Sequence, residues 1–282
     1  MNYWRLLDTG ALPANLNMGI DLALLEMHAR GASPPTLRFY QWDPPAVSLG
    51  YFQRRHSIDL SACREMGLDV VKRPTGGHAV LHEHDLTYSV IAGAAEGLPI
   101  TLAAAYELLR TGLISGFRQL GFEAESVDGD LPAPETDVCF MRFALGDLLH
   151  KGKKFVGSAQ TLKGSSLLQH GSIVLDPQWE SWVNLLNLKD CSAEEFRHRL
   201  ESRTSSLREI LGRRVEPEEV KTVLIAGLAS ALGTEFQQGE LTSDEWALAR
   251  DIAAKQVIQE RVVHADELLV QGKAGVWPDG TA

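Results

Sequence analysis

Two side chains set the chemistry that this sequence offers: a cysteine at position 139 and a lysine fifteen residues further on, at 154. A thiolate attacks a thioester carbonyl well and a thiol does not, yet an unperturbed cysteine, with a pKa of ~8.5, is only slightly ionised at neutral pH. A nearby ammonium favours the thiolate, each unit of lowering corresponding to about 1.4 kcal/mol. Lys154 is the candidate charge, and a cysteine so paired is a nucleophile for acyl transfer. Taken alone, a free cysteine is more often an inert buried thiol, and both readings stand at this point. Cys63, on an expected helix, and Cys191, beside an acidic one, read as structural. Three scattered cysteines with no CxxC pair suggest neither a disulfide framework nor a structural zinc.

Two glycine-containing segments surround these residues in the chain. The first runs Lys72-Arg73-Pro74-Thr75-Gly76-Gly77-His78-Ala79-Val80-Leu81-His82. Paired glycines let backbone N–H groups approach a ligand with no Cβ between. With two basic residues before it, such a loop suits a phosphate, a carboxylate or a polarised carbonyl. A tight hairpin between strands explains the same residues equally well. His82 and His84 would share one strand face, as metal ligands do. No acidic or cysteine partner stands at a useful spacing, so structural histidines are expected and no metal site. The second segment is Gly152-Lys153-Lys154-Phe155-Val156-Gly157-Ser158-Ala159-Gln160, followed by Gln169-His170-Gly171-Ser172 on the returning strand. Its small residues predict a tight wall, with both strands lining one site. Backbone amides near Gly76-Gly77 or Ser158-Ala159 are the candidate oxyanion donors.

These segments resemble the lipoate–protein ligase and octanoyltransferase family, related in fold to biotin protein ligases. Trp42-Asp-Pro-Pro-Ala-Val-Ser-Leu-Gly-Tyr-Phe-Gln53 looks like one family signature, Arg73 to Ser89 a second, and Gly152 to Gln160 with Gln169-His-Gly-Ser a third. They cover residues 1 to about 180 in family order. Cys139-Phe140 stands where the LipM-type octanoyltransferases carry their nucleophile, and its spacing to Lys154 also fits. The chain departs from that type at His78, where arginine is usual. It departs again at Met141-Arg-Phe-Ala-Leu-Gly-Asp147, in place of a Pro-Ser and an aromatic-acidic pair.

The resemblance implies octanoyl transfer from octanoyl-acyl carrier protein, through an acyl-Cys139 thioester. The acceptor is a lysine of the glycine-cleavage H protein or of a lipoyl domain of 2-oxoacid dehydrogenases. No cofactor is then required. ATP and Mg²⁺ enter only under the alternative of a lipoate ligase. An amidotransferase between carrier proteins and a silent acyl-binding homologue are further alternatives. The implied substrate-binding residues are Arg73, Gly76, Gly77, His78, His82, Gly157, Ser158, Ala159, His170 and Gly171, with Val80, Tyr88 and Val156 as walls for the acyl tail. Burying seven carbons at ~0.8 kcal/mol each gives on the order of 5 kcal/mol for chain-length selection. Acidic carrier partners would need a local basic rim, for which Lys151, Lys153, Lys163 and Arg73 are candidates.

These residues must be positioned by a mixed set of elements. Strands are expected at 3–8, 36–42, 46–50, 69–72, 78–82, 86–92, 122–127, 145–150, 154–162 and 167–175. Helices are expected at 15–30, 57–66, 101–120, 179–187, 205–212, 216–232 and 243–258, with an exposed loop at 128–134 and no periodicity after about 265. Strands cluster before residue 176 and helices after it, an α+β order rather than the alternation of a doubly wound fold. The resemblance sharpens this to the biotin/lipoate protein ligase catalytic domain, akin to class II aminoacyl-tRNA synthetases and biotin synthetase. Such a domain has a mixed, largely antiparallel sheet flanked by helices, and a helical C-terminal region. The expected division is a catalytic domain over 1–235 and a helical extension and tail over 236–282. The chain carries 27 basic and 37 acidic residues, a formal charge of −10, which argues against general nucleic-acid binding. With no signal pattern and no apolar run near the ~18 residues of a membrane span, a cytoplasmic protein is expected.

Overall fold

The computed structural model describes residues 3–53, 58–99, 101–127, 138–186 and 191–256. The expected loop at 128–134 and the tail after 265 lie outside them. The chain opens with β1 (Trp4–Leu12) and α1 (Ala14–Ala29). Pro13 starts α1, where its missing N–H is no loss, and its carbonyl accepts the amides of Leu16 and Asn17. Gly31, at φ 71°, follows the helix end. The helix buries Ile20, Ala23 and Leu24 as their spacing predicts, and also Asn17 and Asp21. Both polar side chains are met by Arg38, which donates to Asp21 Oδ1 and to Asn17 Oδ1 at 2.7 Å each.

Next come β2 (Thr36–Trp42), β3 (Ala46–Leu49), α2 (Leu60–Glu65), β4 (Asp69–Lys72), β5 (Val80–His82), β6 (Asp85–Gly93) and α3 (Leu102–Arg118). They are followed by β7 (Glu125–Ser126), β8 (Leu148–His150), β9 (Lys153–Lys163) and β10 (Ser166–Val174). The last elements are α4 (Trp179–Leu185), α5 (Ala193–Arg203), α6 (Leu207–Leu211), α7 (Pro217–Leu232) and β11 (Phe236–Gln238). A further helix, α8, covers 243–256. The main sheet has eight strands in the order β11-β1-β2-β6-β10-β9-β8-β7. Its centre is antiparallel, and β1 pairs in parallel with β2 and β11.

β6 and β10 are buried along their whole length, so both of their faces are covered. Side chains alternate across a strand. Leu86, Tyr88, Val90 and Ala92 meet α3 and α7 in the main apolar core. The other face of β6 is polar near α1, where Ser89 donates to Asp21 at 3.0 Å. α3 and α7 cross closely because Gly112, Gly116 and Gly227 meet there; a Cβ on Gly227 would lie 2.3 Å from the Gly112 carbonyl oxygen. A second, three-stranded sheet has the order β4-β3-β5. α2, α4 and α5 pack over it through Cys63, Trp182, Leu185, Phe196 and Leu200.

Several elements differ from the sequence expectations. The strands expected at 122–127 and 145–150 shorten to Glu125–Ser126 and Leu148–His150. α5 was not expected, because its charged residues mask a short apolar stripe of Phe196 and Leu200; the Ser192/Glu195 capping box starts it. β11 was also not expected, since three residues carry no periodic signal. The Gly76-Gly77 segment is not a hairpin. β4 runs parallel to β3 and β5 antiparallel to it on the opposite side, so the loop crosses over the end of β3.

Candidate active site

Cys139 opens a single 3-10 turn, Cys139–Met141. The turn is fixed beside the start of β5, with the Cys139 amide donating to the Ala79 carbonyl at 2.9 Å. From the far side, Arg203 Nε at the end of α5 donates to the Met141 carbonyl at 2.9 Å. Phe140 packs with Val80 and Val174, and Cys139 lies partly buried against them.

Lys154, near the start of β9, is only 1% exposed. Its Nζ lies 2.7 Å from Asp147 Oδ2, 3.2 Å from the Arg142 carbonyl, 3.3 Å from the Cys139 carbonyl and 3.8 Å from Cys139 Sγ. Burial works against the ammonium, but Asp147 and the Cys139 sulfur outweigh it and hold Lys154 above its ordinary value. Burial likewise lifts the Asp147 carboxyl above the usual carboxylate range, against the pull of Lys154 and of the Ala144 and Ser158 amides. Gly157 leaves the room this arrangement needs: a Cβ there would lie 3.0 Å from Lys154 Cε and 3.4 Å from the Phe140 ring.

The glycine loop closes over the sulfur. A Cβ on Gly77, whose φ is 91°, would lie 3.9 Å from Cys139 Sγ and 2.8 Å from Arg73 Nη2. Arg73 is buried and shapes the loop from within, donating to the carbonyls of Gly76 at 2.7 Å, His78 at 2.8 Å and Ser48 at 2.9 Å. Desolvation pulls its guanidinium below the ordinary value. Among the described residues the Gly76 and Gly77 amides donate to no partner. Both glycines line the cavity that Cys139 borders, so their amides are candidates to meet a developing oxyanion.

Two histidines brace the site, one linking the two sheets and the other tying the glycine loop to β10 and α1. His82 sits between Ser48 Oγ and Asp85 Oδ2, each at 2.8 Å, and stacks on Trp42 with ring centroids 3.9 Å apart. His170 sits between Thr75 Oγ1 at 2.7 Å and Asp21 Oδ2 at 3.1 Å. Burial, the leading cause, pulls His170 below its ordinary value. The Arg38 guanidinium and the His170 contact outweigh the burial of Asp21 and keep its carboxyl low.

The expected catalytic and substrate-binding residues border one cavity of about 370 Å³, within the usual range for a small-molecule pocket. That holds for Cys139, Lys154, Arg73, Gly76, Gly77, His78, His82, Gly157, Ser158, Ala159, His170 and Gly171. Their contacts differ from expectation in several places. The Ser158 amide is turned to Asp147 Oδ1 at 3.4 Å, away from the role of oxyanion donor. Arg73 is no rim residue, and Lys163 pairs with Glu26 at 2.5 Å at the far end of β9. Lys151 and Lys153 are not on the cavity wall, whereas Arg142 is. Of the expected walls, Val80 lines the cavity, while Tyr88 and Val156 lie in the core behind it. His84 is exposed, and both ring nitrogens of His82 are engaged.

Sequence reading missed Asp147, Tyr106, Met18 and Trp42 as lining residues. Tyr106 comes from α3 and packs on Gly146, where a Cβ would lie 2.3 Å from its ring. Gly146-Asp147 precedes a strand, but nothing local to the sequence pairs that acid with Lys154. Nothing in the chain's local pattern marks Tyr106.

The lipoyl protein ligase A/B catalytic-domain family matches residues 13–229, and the chain belongs to that family. Its relatives include the octanoyltransferase LipM of Kyrpidia tusciae, 40% identical over 269 residues, covering 92% of this chain and 98% of the relative. The octanoyltransferase LipM of Moorella thermoacetica is 41% identical over 261 residues, covering 89% and 94%. With such relatives the chain is an acyltransferase. Among solved structures, a bi-partite lipoate protein ligase from Thermoplasma acidophilum superposes with a TM-score of 0.75 at 22% identity, over 90% of this chain and 92% of that one. A lipoate-protein ligase A bound with ATP gives 0.73 at 23% identity, over 90% and 94%. These two bear out the α+β catalytic-domain fold. Among the described residues, no helix is long and apolar enough to cross a membrane.

Proposed function

We propose that the protein moves an octanoyl group from octanoyl-acyl carrier protein to a lysine of a lipoyl-carrier protein, by way of a thioester on Cys139. The observation that carries this reading is the buried Lys154 ammonium 3.8 Å from Cys139 Sγ, beside a cavity of about 370 Å³. Its LipM relatives are octanoyltransferases, which favours octanoyl as the group carried.

In the first half-reaction the Cys139 thiolate attacks the donor thioester carbonyl. The oxyanion forms against the Gly76 and Gly77 amides, the C–S bond to the donor breaks, and the donor leaves as a thiolate that takes a proton from solvent. In the second, the acceptor's neutral amine attacks the acyl-Cys139 carbonyl, and the C–S bond to Cys139 breaks. The proton lost by the amine ends on the departing sulfur. Lys154 serves throughout as a fixed positive charge. Held above its ordinary value by Asp147 and the sulfur, it keeps its own proton and is a poor candidate for a general base. A thioester is more reactive than the amide formed, so the reading needs no nucleotide.

The test is intact mass after mixing the protein with octanoyl-acyl carrier protein in the absence of ATP. An octanoyl adduct that disappears in Cys139→Ala supports the reading. No adduct, together with ATP-dependent modification of a lipoyl domain, would replace it with a ligase.

A further inference from the structure

Phe52 is 87% exposed and Tyr51 56%, the two most exposed large apolar side chains among the described residues. Neither contributes to the apolar cores. They are nonetheless ordered against each other, edge to face with ring centroids 5.0 Å apart, and Lys72 Nζ lies 5.9 Å from the Tyr51 ring centre. Large exposed aromatics beside a cation are what protein interfaces use as anchors.

Their position gives the patch its meaning. The Gly50–Gln53 turn rests directly on the glycine loop: the Tyr51 amide donates to the Thr75 carbonyl at 2.8 Å. A Cβ on Gly50 would lie 1.9 Å from the Gly77 carbonyl oxygen. Gly77 in turn faces Cys139 Sγ. The aromatic pair therefore occupies the outer side of the same loop whose inner side faces the sulfur. Lys72 ends β4, where the chain enters that loop.

We infer that Tyr51, Phe52 and Lys72 form the surface on which the acyl acceptor docks, an acidic protein domain that presents a lysine. This rests on the transfer reaction proposed above. Charge selects the sign of the partner. The chain as a whole is at −10, so an acidic partner needs local attraction, and Lys72 and Arg142 have no acidic partner among the described residues. Lys163 and Arg208, elsewhere on the surface, are each neutralised by a carboxylate. Reach selects acceptor over donor. A lysine amine rides on a short side chain, so its domain must sit against the mouth. A thioester on a long flexible arm makes no such demand.

The experiment separates the half-reactions in the full chain, comparing the wild type with Phe52→Ala and Lys72→Glu. Acyl-enzyme formation from octanoyl-acyl carrier protein is followed by intact mass. Transfer from the preformed acyl-enzyme is then measured at increasing lipoyl-domain concentration. Each variant is expected to form the acyl-enzyme within about twofold of the wild-type rate. Each should need about tenfold more lipoyl domain for half-maximal transfer, a loss typical of an interface anchor. Added salt should weaken the wild type more than Lys72→Glu. Unchanged half-saturation in both variants would make the patch ordinary surface and overturn the inference. Slowed acyl-enzyme formation with normal transfer would assign the surface to the donor instead, and also overturn it. If the wild type forms no acyl-enzyme, the transfer reading fails. Calorimetric titration of the unacylated proteins with the lipoyl domain then decides docking by itself, weaker binding to both variants supporting it and equal binding sinking it.

Discussion

A lysine ammonium at 1% exposure persists only where its charge is met, and Asp147 meets it at 2.7 Å. Removing one member of a buried ion pair costs about 3–5 kcal/mol, because the other is left uncompensated. The double variant Lys154→Met/Asp147→Asn avoids that cost and tests the charge alone. Its Cys139 should react with iodoacetamide at least ~10-fold more slowly at pH 7, equivalent to about 1.4 kcal/mol. Peptide mass mapping separates Cys139 from Cys63 and Cys191. An unchanged rate would remove Lys154 from the activation of the sulfur. Gly157→Ala is expected to slow the same alkylation by displacing Lys154, with a stability loss of about 1–3 kcal/mol from overpacking, read by chemical denaturation. At this scale Cys139 and Lys154 were legible from their types, spacing and surrounding motifs. Asp147 was not, because β8 and β9 pair with a register shift between Leu148 and Leu149. Which side chain faces Lys154 depends on that irregularity.

At the scale of elements, the site is a loop held at both ends. β4 and β5 flank β3, the loop between them crosses its end, and Gly50 just beyond β3 lies beneath the crossing. Gly50→Ala places a Cβ 1.9 Å from the Gly77 carbonyl oxygen, so the loop beside Cys139 must shift. Acyl-enzyme formation is expected to fall by about two orders of magnitude, the scale for loss of an oxyanion donor. The protein should remain folded by circular dichroism, and a wild-type rate would show that the loop's placement is immaterial. The glycine pair was legible as a site, but its geometry was not, since Gly-Gly serves a hairpin and a crossover alike. His82 was read as a structural, hydrogen-bonded histidine and His170 as a substrate-binding residue; in the structure both rings are held by hydrogen bonds. Their partners Asp85, Ser48, Asp21 and Thr75 come from four segments, and only sheet register brings those together.

For the molecule as a whole, the C-terminal segment is fastened to the first strand. β11 pairs with β1, and Glu245 at the start of α8 accepts from Arg5 Nη2 at 2.7 Å and Nη1 at 2.9 Å. A Cβ on Gly19 of α1 would lie 2.5 Å from the Ala249 carbonyl oxygen, so α8 packs backbone-close on α1. This lies beyond the region, 13–229, that matches the family. Burial pushes the Glu245 carboxyl up, but Arg5, Ser33 and the Thr242 amide outweigh it and hold it below the usual range. A carboxyl lowered by folding adds stability above its unfolded pKa of ~4.3, and that stability is lost as pH falls through the folded value. Glu245→Gln should therefore cost about 3–5 kcal/mol at pH 7. The gap from wild type should close progressively below about pH 4, as urea unfolding at a series of pH values would show. A gap independent of pH would mean that the ion pair does not hold the segment.

The amino-acid sequence by itself determined the α+β order and both glycine segments, and it marked Cys139 and Lys154 as candidates. Those depend on residue type, period and short spacing, which the chain carries locally. Only the tertiary structure decided that Lys154 has Asp147 as its counter-ion, that Arg73 faces inward to the loop carbonyls rather than outward to a partner, and that Tyr51 and Phe52 stand outside the loop that covers Cys139. Each of these follows from which strands pair and in what register. Register is settled by burying two faces of one sheet at once, a condition that no single segment states.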